Sequence, residues 1–130
     1  MFKQLVTVAL GGALGSVARY KIGGIILHHT SAWRFPLSTF MINVAGCFII
    51  GVLAGLSEHR DLFSPNTRLF LFTGLLGGFT TFSAFGYEGV FLLRRGDVVM
   101  SFAYAASSVL FGFAAVWLGL QLFTVGATQR

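Results

Sequence analysis

Three stretches of this chain carry no Asp, Glu, Lys or Arg: Phe35 to Ser57, Leu69 to Tyr87 and Val98 to Gln129. Each reaches or comes within a residue of the about 20 apolar residues that an α-helix needs to cross a bilayer. That pattern rules out a soluble globule. With only 10% charged residues and a mean hydropathy of +0.81, the chain lacks the polar side chains that would clothe a domain of this length in water. Lipid is the solvent that suits most of its surface.

A fourth uncharged stretch, Gln4 to Ala18, is shorter, but the apolar pattern resumes beyond Arg19 and Lys21 as far as Leu27. With Lys21 snorkelling to the interface, the first helix is expected at about residues 4–27. Lys3 ahead of an apolar run resembles a secretory signal, yet the run outlasts an h-region and further spans follow, so a retained helix is expected. The second helix is expected at about 36–57, with Pro36 in its first turn, where a missing N–H costs nothing. Ser64-Pro65-Asn66 is a turn and cap signal, placing helix 3 at about 67–94. Arg94-Arg95-Gly96-Asp97 is a tight connection to helix 4 at about 98–125. The expectation is an all-α membrane protein, one four-helix transmembrane domain over residues 1–130 with no repeat and no second domain. A lone cysteine, Cys47, excludes an intrachain disulfide and is read as packing.

Four spans put both termini on one face. Lys3, Arg60, Arg68 and Arg130 then lie on that face and Arg34, Arg94 and Arg95 on the other, joined by Arg19 and Lys21, so the charge bias that orients membrane proteins is nearly absent. A chain without that bias is expected to insert both ways, and an antiparallel homodimer of the two orientations reproduces the inverted-repeat architecture of larger transporters. Gly11/Gly15, Gly51/Gly55, Gly74/Gly78 and Ser108/Gly112 have the small-residue spacing that lets membrane helices approach closely.

No catalytic constellation is visible, so no enzyme is expected: the histidines and carboxylates lie at or near loops, except Glu88. The net charge of +5 is explained by headgroups rather than by nucleic acid. Polarity inside the apolar spans is more telling, because unpaired polar groups are costly there. Thr39 and Asn43 are one turn apart on helix 2, and Ser101, Tyr104 and Ser108 share a face of helix 4. Serine and threonine can bond back to their own helix. The Asn43 amide cannot, and needs either an interhelical partner or a passing ion. Helix 3 carries Gly77-Gly78-Phe79-Thr80-Thr81, poor helix material near the membrane midpoint, and a break is expected there, the alternative being a kinked helix packed on a neighbour. Broken backbone at that depth must be satisfied by something other than lipid, and its freed carbonyls suit a small hard cation. Phe79, Phe82 and Phe85 recur every three residues and are expected on one face. Their electropositive ring edges could stabilise a small anion without a formal charge.

Three segments resemble the Fluc (CrcB) fluoride channels: Gly11-Gly12-Ala-Leu-Gly15-Ser-Val-Ala-Arg19-Tyr20, Phe35-Pro36-Leu-Ser-Thr39-Phe-Met-Ile-Asn43-Val-Ala-Gly46, and Gly77-Gly78-Phe-Thr80-Thr81-Phe82-Ser83-Ala-Phe85. They match in order and spacing, and length and charge layout extend the likeness to helix 4. The resemblance implies a dual-topology antiparallel homodimer in a bacterial inner membrane, with two fluoride pores that export fluoride by passive electrodiffusion and a structural Na+ at the centre. It implies Gly77 and Thr80 as backbone-carbonyl ligands of that ion. It implies Asn43, Phe82, Phe85 and Ser83 at the pore, with Thr39, Tyr104 and Ser108 beside them, and it favours Arg19 in a wet vestibule over the alternative that Arg19 simply snorkels. Glu88 either shapes the far end of the pore or pairs with a helix-end arginine. Two departures from the family's usual pattern are Ser38-Thr39 and Ser83-Ala84-Phe85. The main rival is a proton-coupled small multidrug or guanidinium transporter, which needs a titratable carboxylate deep in the membrane. A non-transporting assembly subunit would leave Asn43 and the phenylalanine stripe without purpose.

Overall fold

The computed structural model describes residues 1–124, all of it helix and short connection. The order is α1 (Phe2–Thr30), α2 (Leu37–Arg60), a segmented third span (Pro65–Arg94) and a last helix (Val98–Thr124). The third span is built from α3 (Pro65–Arg68), a π-helical stretch (Leu69–Leu76), α4 (Gly77–Phe79), two extended residues and α5 (Phe82–Arg94); the last helix is α6. The helices extend a few residues past most of the expected ends. The expected end of helix 4 at residue 125, and Arg130 in the charge tally, lie outside the described residues. Pro36 is not in the first turn of α2 but just ahead of it, where its carbonyl accepts the Phe40 N–H at 3.2 Å.

Local chemistry explains the ends. Ser64 caps α3 by accepting the Thr67 N–H at 3.2 Å, with Pro65 in the first turn. Gly96 closes α5 at φ +84°, a conformation a side chain rarely tolerates. There the Gly96 N–H bonds to the Leu93 carbonyl at 3.0 Å and the Asp97 N–H to that of Leu92 at 2.9 Å, a Schellman termination. The expected tight connection therefore rests on one glycine. It also brings Asp97 within 3.4 Å of Arg34, joining the two connections at that end of the bundle.

Packing runs through the glycines. α1 lies against the π-helical stretch and α4: a Cβ added to Gly74 would sit 3.0 Å from the Gly11 Cα, and one on Gly78 3.0 Å from the Gly12 Cα. α2 lies against α6 in the same way, Gly51 against Val116 and Gly55 against Leu120 and Phe123. Gly119 answers from α6, where a Cβ would meet the Phe48 carbonyl oxygen at 2.6 Å, and no spacing argument singled it out. Gly112 faces Cys47, whose thiol is half-buried in this contact. The third span thus changes partners along its length: its first half packs on α1 and its second half, α5, on α6. The exchange happens at the extended pair Thr80 and Thr81.

Little of the chain is buried. Ile42, Leu76, Phe79, Leu92, Tyr104 and Ala115 form the small core, while leucine, valine and phenylalanine side chains cover the outside. Among the described residues, three spans are long and apolar enough to cross a membrane: Leu37–Arg60, Pro65–Arg94 and Val98–Thr124. α1 is as long, but Arg19, Lys21 and its glycines lower its hydropathy below theirs.

Candidate ion pathway

The site starts from the backbone of Thr80 and Thr81, both extended, with φ/ψ of −84°/157° and −149°/116°. In an uninterrupted helix each N–H bonds to the carbonyl four residues back, so the Thr81 N–H would go to Gly77 and the Ala84 N–H to Thr80. Neither does. The Thr81 N–H donates to Asn43 Oδ1 at 2.9 Å, and Asn43 Nδ2 donates to the Thr81 carbonyl at 3.0 Å. The Ala84 N–H donates to the Thr81 hydroxyl at 3.2 Å, which caps α5. Asn43 acts here as a stand-in peptide group offered from α2. The carbonyls of Gly77 and Thr80 are thereby left without their helical donors.

Beside this pair lies a cleft of about 440 Å³ between α2, the third span and α6. It gathers Asn43, Phe82, Phe85 and Ser108 from the expected pore set, together with Gly77 and Thr80, and among the described residues no charged side chain lines it. One N–H of the Asn43 amide is not used by Thr81. The Ser108 hydroxyl is buried and has no partner among the described residues. Phe82 is 84% exposed, and its ring stands 5.6 Å from that of Phe85. Phe79 does not share this face. It is buried near Gly15 and Gly46 and does not line the cleft, because the extended pair between Phe79 and Phe82 destroys the helical register that a three-residue spacing assumes.

Tyr104 is fully buried, with its ring 5.1 Å from that of Phe85. Its hydroxyl donates to Glu88 Oε2 at 2.8 Å, and the Thr39 hydroxyl donates to Glu88 Oε1 at 2.6 Å. Glu88 is therefore held by two hydroxyls from α2 and α6, and among the described residues it pairs with no arginine. Thr39 and Glu88 also line a second cleft, of about 450 Å³, which opens beside Trp33, Arg34 and Arg95. The Thr39, Glu88 and Tyr104 cluster thus stands between the two clefts.

Arg19 lies elsewhere. It is half-buried on α1 and lines a third cleft of about 250 Å³ with Ser38, Thr39 and Thr81, with no hydrogen-bond or ion-pair partner among the described residues. Ser83 is exposed, 3.2 Å from the Thr81 hydroxyl, and does not line the main cleft. Ser101 is used for packing, its hydroxyl bonded to the Gly89 carbonyl at 2.7 Å. Sequence reasoning missed the reciprocal Asn43 and Thr81 pairing and the double anchoring of Glu88. Their signals were present, since Asn43 needed a partner off its own helix and Glu88 was the one acid inside the spans expected from sequence.

The family model described as "CrcB-like protein, Camphor Resistance (CrcB)" matches residues 6–120. The chain belongs to the CrcB family. It is 52% identical over 119 residues to the fluoride-specific ion channel FluC of Methylobacillus flagellatus, covering 92% of this chain and 93% of that protein. It is 49% identical to the protein of the same name from Rhizobium etli over 92% and 94% of the two chains, and 42% identical to that of Flavobacterium psychrophilum over 91% and 94%. The CrcB match takes in the cleft, the extended pair Thr80 and Thr81, and most of each long helix. Three membrane-capable spans and channel relatives of nearly equal length make the chain a multi-pass membrane protein.

Proposed function

We propose that this chain is a fluoride-specific channel that lets fluoride leave the bacterial cytoplasm down its electrochemical gradient across the inner membrane, lowering a toxic concentration. The observation that carries it is the uncharged cleft holding Asn43, Phe82, Phe85 and Ser108 in a chain 52% identical to a fluoride-specific channel. Fluoride is small and strongly hydrated, so it enters only where close donors replace its water. The spare Asn43 N–H and the unpartnered Ser108 hydroxyl are such donors, and the ring edges of Phe82 and Phe85 add electropositive rims. Among the described residues no lysine or arginine lines the cleft to hold the ion too tightly to leave, as conduction requires. Glu88, Thr39 and Tyr104 continue the path toward the second cleft, and Arg19 serves as a vestibular attractor for anions.

The working unit is an antiparallel homodimer of two four-span subunits, with α1 as the fourth span and two pores per dimer. The 84% exposure of Phe82, beside a cleft open on one side, supports a second copy closing the site. The donor set fits a structural Na+: the Gly77 and Thr80 carbonyls lack helical donors, and oxygen ligands suit a hard cation. Gly77 and Thr80 of the two subunits would hold that ion by their carbonyls, and when bound it would supply positive charge between the two third spans; every other feature of the pathway comes from the chain itself.

The rival proton-coupled transporter needs a carboxylate free to exchange protons with substrate, whereas both oxygens of Glu88 are engaged within the chain. Purified protein in liposomes, assayed for fluoride, chloride and cationic-dye flux, tests the reading. Fluoride efflux with chloride retained is expected. Equal passage of chloride overturns selectivity, and dye uptake driven by a pH gradient overturns the channel reading in favour of the exchanger.

A further inference from the structure

We propose that Asn43 and Thr81 are positioning residues for the cation site, each holding open one main-chain carbonyl that would otherwise close on its own helix. This rests on the reading that the carbonyls of Gly77 and Thr80 hold Na+. A carbonyl in a regular helix already accepts an N–H, and its free lone pair is directed along the helix surface rather than presented as a terminal ligand. Freeing it requires that the N–H four residues on be taken by something else.

The third span does this twice, by two different devices. Asn43, from α2, takes the Thr81 N–H that belongs to the Gly77 carbonyl, and returns an N–H to the Thr81 carbonyl so that no buried backbone group is left unpaired at that residue. The Thr81 hydroxyl takes the Ala84 N–H that belongs to the Thr80 carbonyl. Neither side chain contributes an oxygen of its own to the proposed ligand set. Both act by diverting a donor. Asn43 also lines the cleft assigned to fluoride, so the same amide that presents a donor to the anion keeps a cation ligand available. Occupancy of the cation site and the shape of the anion path are therefore mechanically linked through one residue.

Four variants separate this role from general structural damage: Asn43→Leu, Asn43→Asp, Thr81→Val and Thr81→Ser. Leucine is near asparagine in size but accepts nothing, whereas aspartate keeps the Oδ acceptor. Valine removes the hydroxyl of Thr81 and serine keeps it. The readout is the rise in unfolding temperature that sodium chloride produces over choline chloride in detergent, titrated to give an apparent sodium affinity, so that a change in baseline stability is subtracted. Asn43→Leu and Thr81→Val are expected to weaken sodium at least tenfold. Thr81→Ser is expected to stay within about threefold of the parent, and Asn43→Asp, which keeps the acceptor for the Thr81 N–H but loses the donor to the Thr81 carbonyl, to fall between the parent and Asn43→Leu. Parental sodium affinity in both Asn43→Leu and Thr81→Val overturns the proposal while leaving the cation site standing. If Asn43→Leu fails to fold, Thr81→Val against Thr81→Ser decides it. No sodium-dependent rise in the parent protein overturns the cation reading itself, and this proposal with it.

Discussion

Glu88 offers the sharpest stability test, because one carboxyl group is gripped by two hydroxyls that come from different helices. The Thr39 hydroxyl approaches one oxygen at 2.6 Å and the Tyr104 hydroxyl the other at 2.8 Å, with Tyr104 fully buried. Side-chain hydrogen bonds inside membranes average about 0.6 kcal/mol and reach about 1.7. A buried acceptor left unpaired costs about 1–3 kcal/mol. The short distances and the burial put each of these bonds toward the upper end, so Thr39→Val and Tyr104→Phe are each expected to destabilise by about 1–2 kcal/mol. Tyr104→Phe keeps the ring that packs 5.1 Å from Phe85 and Val is near Thr in size, so lost packing adds little to either figure. The double variant strips both oxygens of intramolecular donors at once. Its cost should exceed the sum of the singles by at least about 0.5 kcal/mol, outside the range in which independent sites add. Unfolding in mixed micelles with graded denaturing detergent, read by tryptophan fluorescence, supplies the four free energies. Additivity, or singles that cost nothing, would refute the shared-acceptor geometry.

Phe82→Ile removes an electropositive ring rim while keeping bulk in the cleft; since aromatic contacts are worth about 0.5–1.5 kcal/mol beyond area, fluoride efflux from liposomes should fall about tenfold with the dimer intact on size exclusion. Gly119→Val places its Cβ 2.6 Å from the Phe48 carbonyl oxygen, whereas Gly24 has nothing within 4 Å of where its Cβ would lie. The first should therefore cost at least about 1–3 kcal/mol by overpacking, and Gly24→Ala should be neutral or stabilising in the same unfolding assay.

Much of the architecture was legible because it depends on solvent and spacing alone. Uncharged runs of membrane length mark spans whatever they pack against, and glycines four apart mark close approach, as Gly11, Gly15, Gly74 and Gly78 go on to make. The failure at Phe79 has a definite cause. A three-residue repeat means a shared face only while the helix continues, and the extended pair between Phe79 and Phe82 resets the register. The π-helical stretch Leu69–Leu76 carries no sequence mark that separates it from an α-helix of the same leucines and phenylalanines.

By itself, then, the sequence determined the solvent this chain requires, the number and approximate lengths of its helical spans, and the identity of the few polar groups that lipid cannot satisfy. Those follow from composition and local spacing. Which partner each polar group takes was left to the tertiary structure. Asn43 could have faced any neighbour, and its selection of Thr81, 38 residues away, follows from α2 packing beside the third span where that span exchanges α1 for α6. Glu88 had an arginine within sequence reach and took two hydroxyls instead. Hydrogen bonds in an apolar medium go to whatever donor the packing brings near, and packing is a property of surfaces that meet only once the helices are assembled.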